Sequence, residues 1–63
     1  MSRGILLTPV QLAERWQIPV PQLAMQRYRG QGPKFTKIGA HVRYPLEEVE
    51  AYEDRNLRQS TLE

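Results

Sequence analysis

Side chains able to act as nucleophiles, general bases or metal ligands are few in this chain of 63 residues. There is one histidine, His41, no cysteine, two serines, Ser2 and Ser60, and one aspartate, Asp54. No nucleophile stands at a credible spacing from a base, so no acyl- or group-transfer centre is expected. The lack of cysteine excludes disulfides, thiolate metal sites and thiol catalysis. Glu47, Glu50 and Asp54 come nearest to a cation site. A solvated helix face is their expected role, because carboxylates hold a divalent cation only in a shaped site. The chain is therefore not read as an enzyme, and no catalytic residue, metal or cofactor is expected.

The remaining chemistry is contact chemistry, and the charge pattern says where it lies. The formal net charge is only +2. Residues 1–44 carry seven basic side chains against Glu14 alone, a net +6. Residues 45–63 carry Arg55 and Arg58 against six acidic side chains, a net −4. Such asymmetry marks an interaction surface, with a solvated acidic helix after a basic segment as the plainer alternative. A chain of about 60 residues buries only roughly 60% of the surface it exposes when unfolded. One domain that works through its surface is expected, with an ordered core from about residue 6 to residue 56. The longest apolar run, Ile5-Leu6-Leu7, is far too short to span a bilayer. Arg3 is followed by no apolar signal-peptide core, and a cytoplasmic location is expected.

The elements that must position these side chains can be read from their punctuation. Residues 1–7 read as an extended lead. Thr8-Pro9-Val10-Gln11 reads as a helix start, with Thr8 as cap, Pro9 in the first turn and Gln11 at the reciprocal capping position. Leu7 and Leu12 are placed for a hydrophobic staple. This helix is predicted over Pro9–Trp16, with Leu12, Ala13 and Trp16 inward. Pro19 and Pro21 interrupt the pattern and suit a new helix beginning near Val20 or Pro21. It is predicted to end at Arg29, where Gly30 supplies a left-handed stop.

Phe35–Ile38 and His41–Tyr44 are strand-like runs around Gly39-Ala40. A two-residue turn puts Phe35, Lys37, Val42 and Tyr44 on one face. A three-residue loop puts Ile38, Val42 and Tyr44 inside and Lys37 and Arg43 outside. Both registers stay open, since a slip of one residue exchanges the faces. A third helix is predicted from Pro45 to about Asn56, with Leu46, Val49 and Tyr52 buried. Glu47, Glu48 and Glu50 in its first turns suit the helix dipole. Residues 58–63 are expected to fray, and Leu62-Glu63 is assigned no part in the fold.

Four stretches of the chain, in order and at fitting intervals, resemble a known family. Leu7-Thr8-Pro9 with Leu12-Ala13-Glu14 resembles its opening helix. Gln22-Leu23-Ala24 with Arg27 and Arg29-Gly30 resembles its recognition helix. Gly32-Pro33-Lys34-Phe35-Thr36-Lys37-Ile38-Gly39 with Val42-Arg43-Tyr44 resembles its wing. Glu48-Val49-Glu50-Ala51-Tyr52 resembles its closing helix. The chain is similar over residues 6–53 to the MerR-like winged helix-turn-helix proteins of the excisionase and prophage-regulator family. The resemblance implies a mainly α fold with a small β-hairpin: a helix-turn-helix, a two-stranded wing and a C-terminal helix. It departs from the family at Gln17, often glycine there, and at Pro19, often Ser or Thr. It also departs at Met25 and Gln26, often basic and aromatic, and at Ala40-His41 of the wing tip, where a second glycine and an arginine are common.

The implied function is sequence-specific binding of double-stranded DNA. A recognition helix enters the major groove with its N-terminal residues at base edges. In this chain those are Val20, Pro21, Gln22 and Met25, with Gln26 next along. Gln22 and Gln26 suit adenine, and Val20 or Met25 suits a thymine methyl. Arg27 and Arg29 are assigned to phosphate, with a partnership to Glu14 or a third-helix carboxylate as Arg27's alternative. Lys37, His41 and Arg43 of the wing are assigned to the DNA backbone. Trp16, Phe35, Tyr44 and Tyr52 are expected in the core, whereas Tyr28 fits either the wing or a phosphate. The resemblance implies an excisionase-like directionality factor of a mobile element, partnered by an integrase or recombinase, or else a small prophage or plasmid transcriptional regulator. Several copies on repeated sites are expected. A protein-interaction module using the acidic third helix is the contrasting class.

Overall fold

The computed structural model describes residues 4–60, with side chains described through residue 57. Three helices and a three-stranded antiparallel sheet make a mixed α/β fold. In chain order these are β1 (Leu6–Leu7), α1 (Pro9–Trp16), α2 (Val20–Tyr28), β2 (Thr36–Ile38), β3 (His41–Pro45) and α3 (Leu46–Ser60).

Local chemistry sets both ends of α1. Gln11 N donates to Thr8 Oγ1 at 3.0 Å and Thr8 N donates to Gln11 Oε1 at 2.9 Å, closing the expected capping box. At the other end Gln17 adopts φ 57°, a left-handed conformation. Gln17 N then donates to Glu14 O and Ile18 N to Ala13 O, so two terminal carbonyls are satisfied by one turn. Without the freedom of glycine, Gln17 carries a cost of roughly 1–2 kcal/mol in that conformation. The turn is short enough for α2 to start at Val20. Gly30, at φ 70°, ends α2 in the same way through Gly30 N to Arg27 O and Gln31 N to Gln26 O.

The extended lead turns out to be a strand, which changes the expected two-stranded hairpin into a three-stranded sheet. β1 pairs with β3 through Leu6 opposite Pro45 and Leu7 opposite Tyr44, giving the order β1-β3-β2. Leu46 N donates to Ile5 O at 2.9 Å and extends the contact into the start of α3. Two residues are too few to display the alternation by which a strand is recognised. The hairpin takes the two-residue turn: Ile38 faces His41, Lys37 faces Val42 and Thr36 faces Arg43. Gly39, at φ 63°, provides the positive φ that such turns require. Tyr44 is therefore buried and Val42 half-buried on one face, while His41 and Arg43 lie on the other.

The core consists of Leu12, Ala13, Leu23, Tyr44 and Val49, flanked by Leu7, Trp16, Ile18, Val42 and Leu46. Trp16 and Tyr52 are half-buried, with ring centroids 5.6 Å apart. Phe35, expected inside, stays exposed at the rim against Tyr44, at 6.2 Å between centroids. α3 continues about a turn past the expected end at Asn56, to Ser60. Of the fraying expected over 58–63, residues 58–60 instead continue α3, while 61–63 lie outside the described residues, as does the reading of Arg3.

Glu53 binds α3 to α1. Arg15 donates to it from Nε at 2.7 Å and from Nη2 at 2.8 Å, and Trp16 Nε1 donates at 2.6 Å. The Arg15 hydrogen bond holds the Glu53 carboxyl below its ordinary value, assisted by the Trp16 bond and against partial desolvation. A lowered carboxyl pKa contributes stability in full above the unfolded value, and that contribution disappears as pH falls through the folded value. Glu53→Gln should therefore lower stability at neutral pH by about 1 kcal/mol, discounted for the partly exposed pair. Urea denaturation of both proteins should show the gap narrowing once pH drops below about 4. A gap that stays constant on acidification would assign the effect to packing alone.

Candidate functional site

Helix α2 is held to the core by a single fully buried side chain, Leu23. Gln26 and Arg27 are half-buried beside it, and the other residues of the helix are exposed. Successive residues turn by about 100° around a helix, so opposite the inward Leu23 and Arg27 stand Pro21, Met25 and Arg29, flanked by Gln22 on one side and Tyr28 on the other, all of them exposed. Val20 and Ala24 are also exposed, to the side of that face.

The proposed contact residues divide under this geometry. Val20, Pro21, Gln22, Met25 and Arg29 are exposed on α2. Gln26 is turned aside: its side chain lies over Gly32, where even an added Cβ would come within 2.7 Å of Gln26 Oε1. It also lines an open groove against Tyr52 and Asn56 of α3, and Gln22 stands at the margin of that groove. Arg27 Nη1 donates to Tyr44 Oη at 2.6 Å, with the guanidinium 5.7 Å from the Phe35 ring centroid and 5.9 Å from that of Tyr44. Its partner is thus an aromatic pair on the sheet side, and neither Glu14 nor a third-helix carboxylate.

On the hairpin, Lys37 and His41 are exposed, and Arg43 is half-buried with Nη1 donating to Val42 O at 2.7 Å. The observed register sets Lys37 on the face of Val42 and puts His41 and Arg43 on the opposite face. Cations therefore stand on both faces of the hairpin near its Gly39-Ala40 tip. Tyr28, whose role the sequence leaves open, is 89% exposed. Its membership of the outward face becomes readable only once Leu23 and Arg27 are known to point inward.

Glu47, Glu50 and Asp54 share the solvent side of α3. Among the described residues, no group of three or more His, Asp or Glu side chains is arranged to hold a metal ion. Among the same residues, no helix is long and apolar enough to cross a membrane. No protein-family model, curated protein or solved structure matches the chain.

The Arg27 contacts make a specific demand. A hydrogen bond from a charged donor contributes about 1.5–3 kcal/mol when its acceptor is otherwise buried. Arg27→Ala should accordingly lower stability by roughly 1–2 kcal/mol, allowing for Arg27's partial exposure. The exposed Arg29→Ala should change it by less than about 0.5 kcal/mol. Thermal and urea unfolding of the two variants check this, and equal losses would deny Arg27 a structural role distinct from that of Arg29.

Proposed function

We propose that the protein is a winged helix-turn-helix that binds double-stranded DNA without catalysis. In this reading α1 and α2 form the helix-turn-helix, α2 is the recognition helix and the β2–β3 hairpin is the wing. The observation that carries the reading is the exposed side of α2 standing in the same basic segment as a hairpin with cations on both faces. Residues 1–44 hold a net +6, and a polyanion is the complementary partner. With its side chains a helix such as α2 is about 10–12 Å across. A major groove about 12 Å wide accepts such a helix.

Within this reading Val20, Pro21, Gln22 and Met25 meet base edges, while Arg29, Lys37, His41 and Arg43 meet the backbone. Arg27 contributes by fixing α2 against the sheet, and Gln26 by seating the loop at Gly32. The resemblance supports an excisionase-like directionality factor of a mobile element, working with an integrase or recombinase. A small prophage or plasmid regulator with the same binding mode is the second job it supports. So small a domain covers about 600–1,000 Å² of protein surface on DNA, which favours several copies acting on repeated sites. The exposed acidic side of α3 is what favours the contrasting reading, a protein-interaction module.

Fluorescence anisotropy with a mixed-sequence DNA duplex over a series of salt concentrations tests the proposal. The logarithm of the binding constant should fall linearly with the logarithm of salt, by about 0.9 for each phosphate neutralised. Lys37→Ala and Arg43→Ala should each weaken binding to every sequence and reduce that slope by about 1. Absence of binding to any duplex at low salt would contradict the reading. An unchanged affinity and slope for Arg43→Ala would take the hairpin out of the interface.

A further inference from the structure

Much of the exposed side of α2 is apolar. Pro21, Ala24, Met25 and Tyr28 follow the i, i+3, i+4, i+7 spacing that ordinarily marks the buried stripe of a helix. In this protein the stripe faces solvent: Met25 is 50% exposed and Tyr28 89%, with Val20 adjoining at 38%. The two longest hydrogen-bonding side chains in the middle of α2 are directed elsewhere. Gln26 is seated over Gly32, and Arg27 donates to Tyr44. Pro21 and Met25 therefore stand at the middle of the exposed face, with the Gln22 amide and the Arg29 guanidinium at its flank.

We infer that α2 recognises thymine through its C5-methyl group, with Met25 as the principal contact and Pro21 completing the apolar surface. The inference rests on the DNA-binding reading and specifies what that site takes. Among the features that base pairs present in the major groove, the thymine methyl is the apolar one; the others are hydrogen-bond donors and acceptors. A thioether side chain is flexible and polarisable, and it moulds to a methyl group without needing a fixed rotamer. The surroundings argue for DNA as the occupant over a second copy of the chain. Arg29 borders the stripe, and the segment that carries it has a single acidic residue, Glu14. Two such faces brought together would set like charges side by side.

Binding of one duplex prepared with either thymine or uracil tests this directly, because the two differ only in the methyl groups. The probe is a duplex enriched by the protein from a random-sequence library and resynthesised with deoxyuridine in place of thymidine. Each buried methyl is worth roughly a three- to fivefold change in affinity. Wild-type protein should bind the uracil duplex at least that much more weakly. Met25→Ala should bind the thymine duplex more weakly than wild type and discriminate little between the two duplexes. Because Met25 is half exposed, the variant should keep the wild-type circular dichroism spectrum and unfolding midpoint.

Equal wild-type affinity for both duplexes, with salt dependence retained, would overturn the methyl inference and leave DNA binding standing. Undiminished discrimination by Met25→Ala would overturn the assignment to Met25. Sedimentation that shows an oligomer without DNA, dissociated by Met25→Ala, would give the stripe to a second copy and also overturn it. Failure to bind any duplex would remove the DNA-binding reading itself, and the inference with it.

Discussion

The fold closes on the phenol of Tyr44. This side chain is 2% exposed and sits on β3, the central strand, opposite Leu7 of β1. A buried tyrosine hydroxyl requires a polar partner, and Arg27 supplies one from the last turn of α2 at 2.6 Å. Phe35, just before β2, lies against the same ring and the same guanidinium. One residue thus joins the N-terminal strand, the hairpin and α2. The orientation of α2 follows from it. With Arg27 drawn toward the sheet and Leu23 into the core, the helical repeat leaves Pro21, Met25, Tyr28 and Arg29 outward.

A core of five buried residues leaves little free energy to spare. The polar ties around it therefore matter beyond their individual size. Glu53 gathers Arg15 and Trp16 and fixes α3 on α1, just as Arg27 fixes α2 on the sheet. These ties also redistribute charge. Arg15 is matched by a carboxylate, while Arg29, Lys37 and His41 are exposed. The positive potential of the first 44 residues is thereby concentrated on α2, the hairpin and the loop between them, and the exposed acidic residues other than Glu14 that are described lie along α3.

The parts of this arrangement readable from sequence are those determined by a few adjacent residues. The capping box of Thr8 and Gln11, the stop at Gly30 and the apolar spacing of α1 are all local. The strand at Leu6-Leu7 is not, because its partners Pro45 and Tyr44 lie far along the chain. The hairpin register is ambiguous in sequence because the turn residues and the apolar alternation point to different pairings; in the structure the turn prevails. At the candidate site the exposed positions Val20, Pro21, Gln22 and Met25 are legible from the start of α2. The positions of Gln26, Arg27 and Glu53 are not, since each is set by a tertiary partner: Gly32, Tyr44 and the Arg15–Trp16 pair respectively. Polar side chains on a helix declare their spacing but not which neighbour will take them.

In the proposed reading one surface, the outward side of α2 with the hairpin, meets DNA, while α3 packs on β3 and is tied to α1 through Glu53. Mapping amide chemical shifts of isotope-labelled protein during titration with duplex at low salt tests this most directly. The expected shifts fall on Val20–Arg29 and on Lys37–Arg43, and the amides of Glu47, Glu50 and Asp54 stay in place. Shifts concentrated on the exposed face of α3, or none at any duplex concentration, would contradict it.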